Sequence, residues 1–152
     1  VQRFVEEGGR LICMKNSAKF AIRDLGLPLQ ISNDKASLPN AISPNCVLQI
    51  NVIFSHPMAF RVKRELDVIF ENGFAFEILD QNKAKPIATY SDKKFLISCQ
   101  VRDQNQIAKK IAIAHVSMGT GHIILFGFSP YYEGKTWGTF NLLFNAIDTT
   151  FN

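Results

Sequence analysis

The chain has 152 residues, 47% of them hydrophobic, 11% aromatic and 20% charged, with 17 Lys+Arg against 13 Asp+Glu. That apolar supply, with 13 Phe, suits one globular domain spanning residues 1–152 and excludes disordered and collagen-like chains. The longest apolar run, around Ile123 to Phe128, is far short of the roughly 18 to 20 residues of a spanning helix, so no membrane partner is expected. The net charge of +4 is scattered, with pairs only at Lys93-Lys94 and Lys109-Lys110. No nucleic-acid partner is expected either, because phosphate recognition calls for a denser basic stripe interleaved with aromatics.

Val1, Phe4 and Val5 fall at i, i+3 and i+4, so the chain opens in a short amphipathic helix that Gly8-Gly9 ends. Arg10-Leu11-Ile12-Cys13-Met14 then reads as a central strand buried on both faces. Ala18, Ala21, Ile22 and Leu25 predict a helix over residues 17–25, closed by Gly26 and followed by Pro28. Residues 32–44, rich in Ser, Asn and Pro, read as a loop. The alternation Leu48, Ile50, Val52, Phe54 predicts a strand ending at His56-Pro57. Shorter strands are predicted over 66–70, 74–79 and 87–90, with Asn72-Gly73 as a hairpin turn between the first two. Gly119-Thr120-Gly121 joins strands 111–118 and 123–128 in the clearest hairpin of the sequence. Phe140, Leu143, Phe144 and Ile147 predict the apolar face of a terminal helix, with Asn141, Asn145 and Asp148 opposite. Helices alternating with buried strands point to an α/β sheet.

Three histidines, His56, His115 and His122, lack any His-x-x-Glu or His-Glu-x-x-His spacing, so no metal is assigned to the chain. His115 and His122 flank one hairpin and can be cross-strand neighbours, with a structural or surface role as the simpler reading; His56 before Pro57 reads as a turn residue rather than a base. The three cysteines, Cys13, Cys46 and Cys99, have no Cys-x-x-Cys spacing and read as small buried hydrophobes. A Cys46 to Cys99 bridge stays open, and with it the compartment. Residues 11–17 run from strand to sharp turn to helix, the geometry of a nucleophile elbow. The flanking glycines of that motif are absent, Cys13 falls inside the strand, and Ser17 reads as a helix cap. Gly119-Thr120-Gly121 does not open a helix and so cannot cradle phosphate. The polar aromatic segment from Ser129 to Trp137 leaves the last strand where α/β sheets bind ligands, and Tyr131, Tyr132 and Trp137 could line a pocket or an interface.

Two segments together carry a family resemblance. Gly8-Gly9-Arg10-Leu11-Ile12-Cys13-Met14-Lys15-Asn16-Ser17 with Leu25-Gly26-Leu27-Pro28, and Gly127-Phe128-Ser129-Pro130 running to Gly138-Thr139-Phe140-Asn141-Leu142-Leu143-Phe144-Asn145, resemble a class I glutamine amidotransferase-like domain. The version they resemble is attached to the C-terminal side of some bacterial zinc carboxypeptidases. His56-Pro57-Met58-Ala59-Phe60 is similar to a His-Pro-Leu-Ala-Tyr segment of that family, and the hairpin from Met118 to Phe128 fits the same order.

The resemblance implies a flavodoxin-like three-layer α/β/α fold, here lacking its first β-α elements, so that the chain would be a C-terminal fragment of a longer one. In active amidotransferases the elbow presents a Cys between glycines, and the last strand delivers His-x-Glu. Here the nucleophile position falls on Lys15, the following glycine position on Ser17, the His position on Ser129 and the Glu position on Tyr131, with Glu133 displaced by two residues. A glutaminase needs a thiolate beside an imidazole base, so a catalytically dead copy is expected, with no cofactor in this chain and zinc confined to the parent peptidase domain. The expected function is a non-catalytic accessory domain that packs against that domain or shapes access to it, with residues 129–137 and Lys15 to Ser17 as the contact surface. The alternative is a small-ligand module using the degenerate crevice, Lys15 recognising an acid group and the tyrosines stacking on it. A third reading keeps residual amidohydrolase chemistry at Cys13. A parent peptidase that is exported would place the domain outside the cytoplasm, and an incomplete sheet would favour a homodimer through an open edge strand.

Overall fold

The computed structural model describes residues 1–32, 46–92, 96–98, 107–132 and 136–151. The predicted loop at 32–44 therefore lies almost wholly outside the described residues, as do Cys99 and Glu133. Among the described residues one curled, mixed sheet of nine strands runs β1-β9-β8-β6-β3-β4 along its main path. The strands are β1 (Arg10–Met14), β2 (Leu29–Ile31), β3 (Cys46–Val52), β4 (Glu65–Phe70), β5 (Phe76–Ile78), β6 (Ala84–Tyr90), β7 (Leu96–Ser98), β8 (Ile111–Met118) and β9 (Gly121–Phe126). The helices are α1 (Gln2–Glu6), α2 (Asn16–Asp24) and α3 (Trp137–Asp148), with a single 3-10 turn at Pro57–Ala59.

Side chains alternate between two apolar clusters. Ile124 and Phe126 join Leu142 and Ala146 of α3 on one face, while Ile123 and Leu125 join Val5 of α1 and Ala18 and Ala21 of α2 on the other. The α/β class is thus as predicted, with few and short helices over a largely antiparallel sheet; among the described residues β1 beside β9 is the parallel pair. The strand at residues 10–14 is not central. It ends the main path with β9 as its neighbour, and only Cys13 of its five residues is buried. Its apolar composition has another cause, since Leu11 and Cys13 pack toward one cluster and Ile12 and Met14 toward the other.

Local signals explain most boundaries. Gly26 at φ +59 and the Leu27 amide on the Ile22 carbonyl at 3.1 Å close α2 in a Schellman arrangement. The hairpin of β8 and β9 turns at Gly119, φ +60, whereas Gly121 is required for contact: a Cβ there would sit 1.9 Å from the Val5 carbonyl oxygen. Asn72-Gly73 makes no β-hairpin, because β4 pairs with β3 while β5 pairs with β2 and β8. Gly73 instead lets the chain pass against Gly127, whose carbonyl would lie 2.9 Å from a Cβ.

The predicted face of α3 is corrected. Thr139, Leu142 and Ala146 are buried, while Phe144 and Ile147 are 58% and 55% exposed. Small residues let the helix approach the sheet, and Asn145 Nδ2 donates to the Met58 and Phe60 carbonyls at 2.8 and 2.7 Å. Those hydrogen bonds hold the turn beneath the helix at the margin of the buried stripe, where Asn145 is half-buried, while Asn141 and Asp148 stay exposed and Phe140 and Leu143 are half-buried. On α1 likewise only Val5 of the three predicted apolar positions is buried.

Candidate functional site

The elbow is present, and Lys15 occupies it. β1 ends at Met14, Lys15 takes φ 51 and ψ −124 as the N-cap position, and α2 starts at Asn16. A non-glycine residue in that region is strained by about 1 to 3 kcal/mol, the kind of strain found at functional turns. The Lys15 amide donates to the Phe126 carbonyl at 3.0 Å, which seats the elbow beside the carboxyl end of β9. Ser17 does not cap α2. Its hydroxyl accepts from the Met14 amide at 2.7 Å and donates to the Met14 carbonyl at 2.8 Å, tying the elbow back to its strand.

The apex carries neither a thiol nor a hydroxyl. Lys15 Nζ pairs with Glu71 Oε2 at 2.6 Å, both side chains about three-quarters buried. The expected acid-recognising lysine is therefore already neutralised by a neighbour from the end of β4. Cys13 is free and buried; burial raises its thiol pKa, opposed by the Ser17 hydrogen bond, so it is a poor nucleophile in the fold. Ser129 is half-buried and Tyr131 exposed on the segment leaving β9, Tyr132 is half-buried, and Trp137 is 79% exposed at the start of α3. The structure thus brings Lys15 and Ser17 together at the end of β1 and β9 from which the segment bearing Ser129 and Tyr131 departs, and leaves Trp137 pointing outward. Cys46 is disulfide-bonded rather than a free buried thiol.

The opposite end of the same strands holds a second constellation. All three histidines of the chain meet there. His56 Nε2 lies 3.1 Å from His115 Nδ1, and His115 Nε2 lies 3.0 Å from His122 Nδ1. The Met58 amide donates to His56 Nδ1 at 3.3 Å. His56 and His115 are both 7% exposed. Burial first, then the Lys85 charge, lowers His56 to about 4. Burial, the neighbouring histidines, Lys85 and Arg10 lower His115 to about 3; burial and Arg10 lower His122. At neutral pH all three are uncharged, and one tautomer set then satisfies the chain: each ring carries its proton on Nε2 and accepts on Nδ1.

β-sheet register explains the assembly. Arg10 pairs with His122 across β1 and β9, Ser117 pairs with His122 across β8 and β9, and Lys85 pairs with His115 across β6 and β8, all on the face that α3 covers. His56 arrives from the 3-10 turn. Phe151 packs against the rings at a tilt, with centroids 4.5 Å from His115 and 4.8 Å from His122. Arg10 lies 4.8 Å above the Phe151 ring and donates to the Ala146, Ile147 and Thr149 carbonyls, fastening the end of α3 over the cluster. A cavity of about 370 Å³ opens beside it, lined among others by Ser55, Lys85, Ser117, His122 and Phe151. Sequence spacing offered the pairing of His115 with His122; nothing in the sequence placed His56 with them, because that contact is made by a turn 59 residues away.

Among the described residues no group of three His, Cys, Asp or Glu side chains is arranged to hold a metal ion, and no helix is long and apolar enough to cross a membrane. A further cavity of about 680 Å³ lies over β5, β6 and β8, but several of its charges are internally matched, Lys110 with Glu77 and Lys109 with Asp92.

No protein-family model matches the sequence, and no curated protein is similar enough in sequence to count as a match. Solved structures are similar in fold. A β-galactosidase from Bacillus circulans sp. alkalophilus superposes with a TM-score of 0.59 at 13% identity, over 97% of this chain and 19% of that one. A putative GMP synthase subunit from Thermoplasma acidophilum gives 0.57 at 13% identity, over 96% and 60% of the two chains. A putative ThuA-like protein from Bacteroides uniformis gives 0.56 at 12% identity, over 95% and 59%. The last two have glutamine amidotransferase-like folds. This chain spans about a fifth of the β-galactosidase and about three-fifths of the other two.

Proposed function

We propose that this chain is a non-catalytic glutamine amidotransferase-like domain, a pared-down flavodoxin-like sandwich that acts by contact with a catalytic domain. The observation that carries the reading is the elbow itself: its strained backbone is kept at Lys15, yet the apex side chain is an ammonium ion-paired to Glu71. By the sequence resemblance Ser129 and Tyr131 take the positions of the imidazole and the carboxylate, and neither side chain is of the kind that serves as the base of a glutaminase. The strain is thus retained without the chemistry it serves in active relatives of the fold.

The surface of α3 supports the contact role. Trp137, Phe144 and Ile147 recur at helical spacing on one exposed side, and Phe60 on the turn that Asn145 holds is 67% exposed. A row of large apolar side chains left in water is the usual mark of an interface. The β-galactosidase comparison supports a modular reading, since there the same fold is about a fifth of a longer enzyme chain. The sequence resemblance names the partner we favour, a zinc carboxypeptidase domain. A second copy of this chain, pairing along the outer edge of β1, is the competing occupant.

The test is made in the protein as its gene encodes it. Trp137→Ser combined with Phe144→Ser should leave the fold intact and weaken association with, or activity of, the attached catalytic domain. Unchanged association and activity would remove the contact role, and release of ammonia from glutamine by the unaltered protein would remove the non-catalytic one.

A further inference from the structure

The histidine cluster lies at the far end of β1 and β9 from the elbow, and neither the amidotransferase-like reading nor the contact surface uses it. Its hydrogen-bond polarity is the decisive feature. Every Nδ1 lone pair is occupied: that of His56 by the Met58 amide, that of His115 by His56, and that of His122 by His115. A metal ion binds lone pairs, and in this arrangement none is left over. What remains at the open end of the chain is a donor, the Nε2 proton of His122, which has no partner among the described residues.

The electrostatics point the same way. Lys85 on β6 and Arg10 on β1 both face the cluster and both disfavour positive charge on it. Arg10 is committed to the carbonyls at the end of α3, but Lys85 has no carboxylate partner among the described residues. The cavity wall between them contributes the Ser55 and Ser117 hydroxyls and contains no Asp or Glu. A cavity of about 370 Å³ lined by a lysine, a ring N–H, two hydroxyls that can each donate, and the Phe151 ring, with no carboxylate among its lining residues, favours an anion.

We propose that this pocket binds a small oxyanion, a carboxylate or a phosphate, held by His122 Nε2–H and Lys85 Nζ with the hydroxyls of Ser55 and Ser117 completing its shell. The relay behind His122 fixes its tautomer, as a hydrogen bond to the far ring nitrogen does for a metal-bound histidine, so that the ring always offers a proton and never a lone pair to the cavity. Phe151 supplies the apolar surface on which the carbon part of an organic anion lies.

The experiment is a titration of the isotopically labelled chain at neutral pH, following the histidine ring nitrogens and the lysine side chains by NMR. Inorganic phosphate, acetate and zinc ion are added in separate series. The ring spectra should first show the Nε2–H tautomer for all three histidines. Phosphate or acetate should then move the His122 and Lys85 signals saturably, phosphate alone identifying a phosphate site and acetate alone a carboxylate site. Lys85→Met should weaken binding at least about tenfold, the scale of one charge-assisted hydrogen bond. His122→Phe keeps the ring stack and removes the donor, with the same expected loss; both positions are solvent-accessible, so melting curves of the variants serve as the folding control. Absence of saturation below roughly 100 mM anion, binding unchanged in both variants, or saturation by zinc with an Nδ1–H tautomer at His122 would each overturn the proposal.

Discussion

Acid should weaken this fold at a pH where most domains are still at full stability, and the histidine relay is the reason. An unfolded histidine titrates near 6.5, while in the fold His56 is held down to about 4 and His115 to about 3. Below pH 6.5 the unfolded chain therefore binds up to two protons that the folded chain refuses, so stability falls as pH falls. It goes on falling until the pH passes the folded values. Each such group removes about 1.4 kcal/mol per pH unit once the unfolded side chain is fully charged. For the pair the loss between about pH 7.5 and about pH 5 is about 4 kcal/mol, a large share of the roughly 5 to 15 kcal/mol of an ordinary domain. Carboxylates add little in that window; Glu77, lowered by the Lys110 and Gln30 hydrogen bonds, loses its contribution only below the ordinary carboxylate range. The assay is urea unfolding at half-unit pH steps, repeated for His115→Gln. The wild-type slope should reach about two protons per molecule from His56 and His115, with a smaller share from His122, and the variant should lose about one proton of it whatever its absolute stability. A flat profile to pH 5, or a variant slope equal to wild type, would refute the neutral relay.

Three further outcomes follow from single contacts. Lys15→Gly should be more stable than Lys15→Ala by about 1 kcal/mol or more, because both lose the largely buried pair with Glu71 and only glycine relieves the strained elbow; equal stabilities in denaturant unfolding would show that the elbow is not strained. Arg10→Met should lower stability by about 2 to 3 kcal/mol and speed amide exchange in the last turn of α3, since it removes charged donors to three carbonyls there; unchanged exchange would mean that packing alone seats the helix. Gly121→Ala should cost more than about 3 kcal/mol or abolish folding, as its Cβ would lie 1.9 Å from backbone oxygen that cannot step aside; a melting temperature within a few degrees of wild type would contradict that close approach.

What the sequence made legible is what local chemistry decides. The α2 closure at Gly26, the hairpin at Gly119 and the elbow placed at Lys15 are all set by residues within a few positions of one another. What escaped depends on contacts distant in sequence. β1 reads as a central strand because both its faces are apolar, yet apolar faces report layers of cover and say nothing about how many strands flank it. The face of α3 departs from expectation for a related reason. Hydrophobicity alone puts Phe144 and Ile147 inward, whereas the Asn145 hydrogen bonds to the Met58 and Phe60 carbonyls hold the helix with Thr139, Leu142 and Ala146 against the sheet. The partner of Lys15, Glu71, and the histidine relay are likewise products of topology, joining residues 56 and 59 positions apart.

The proposed function requires that the elbow carry no working nucleophile. Native protein would be incubated with an electrophilic glutamine analogue and, separately, with iodoacetamide, and weighed intact. With Cys13 buried, its pKa raised, and Lys15 paired to Glu71, no glutamine-analogue adduct should form. Cys13 should alkylate only as the protein unfolds. Stoichiometric labelling of Cys13 or Lys15 by the glutamine analogue in the folded state would contradict the non-catalytic reading and make the domain an enzyme.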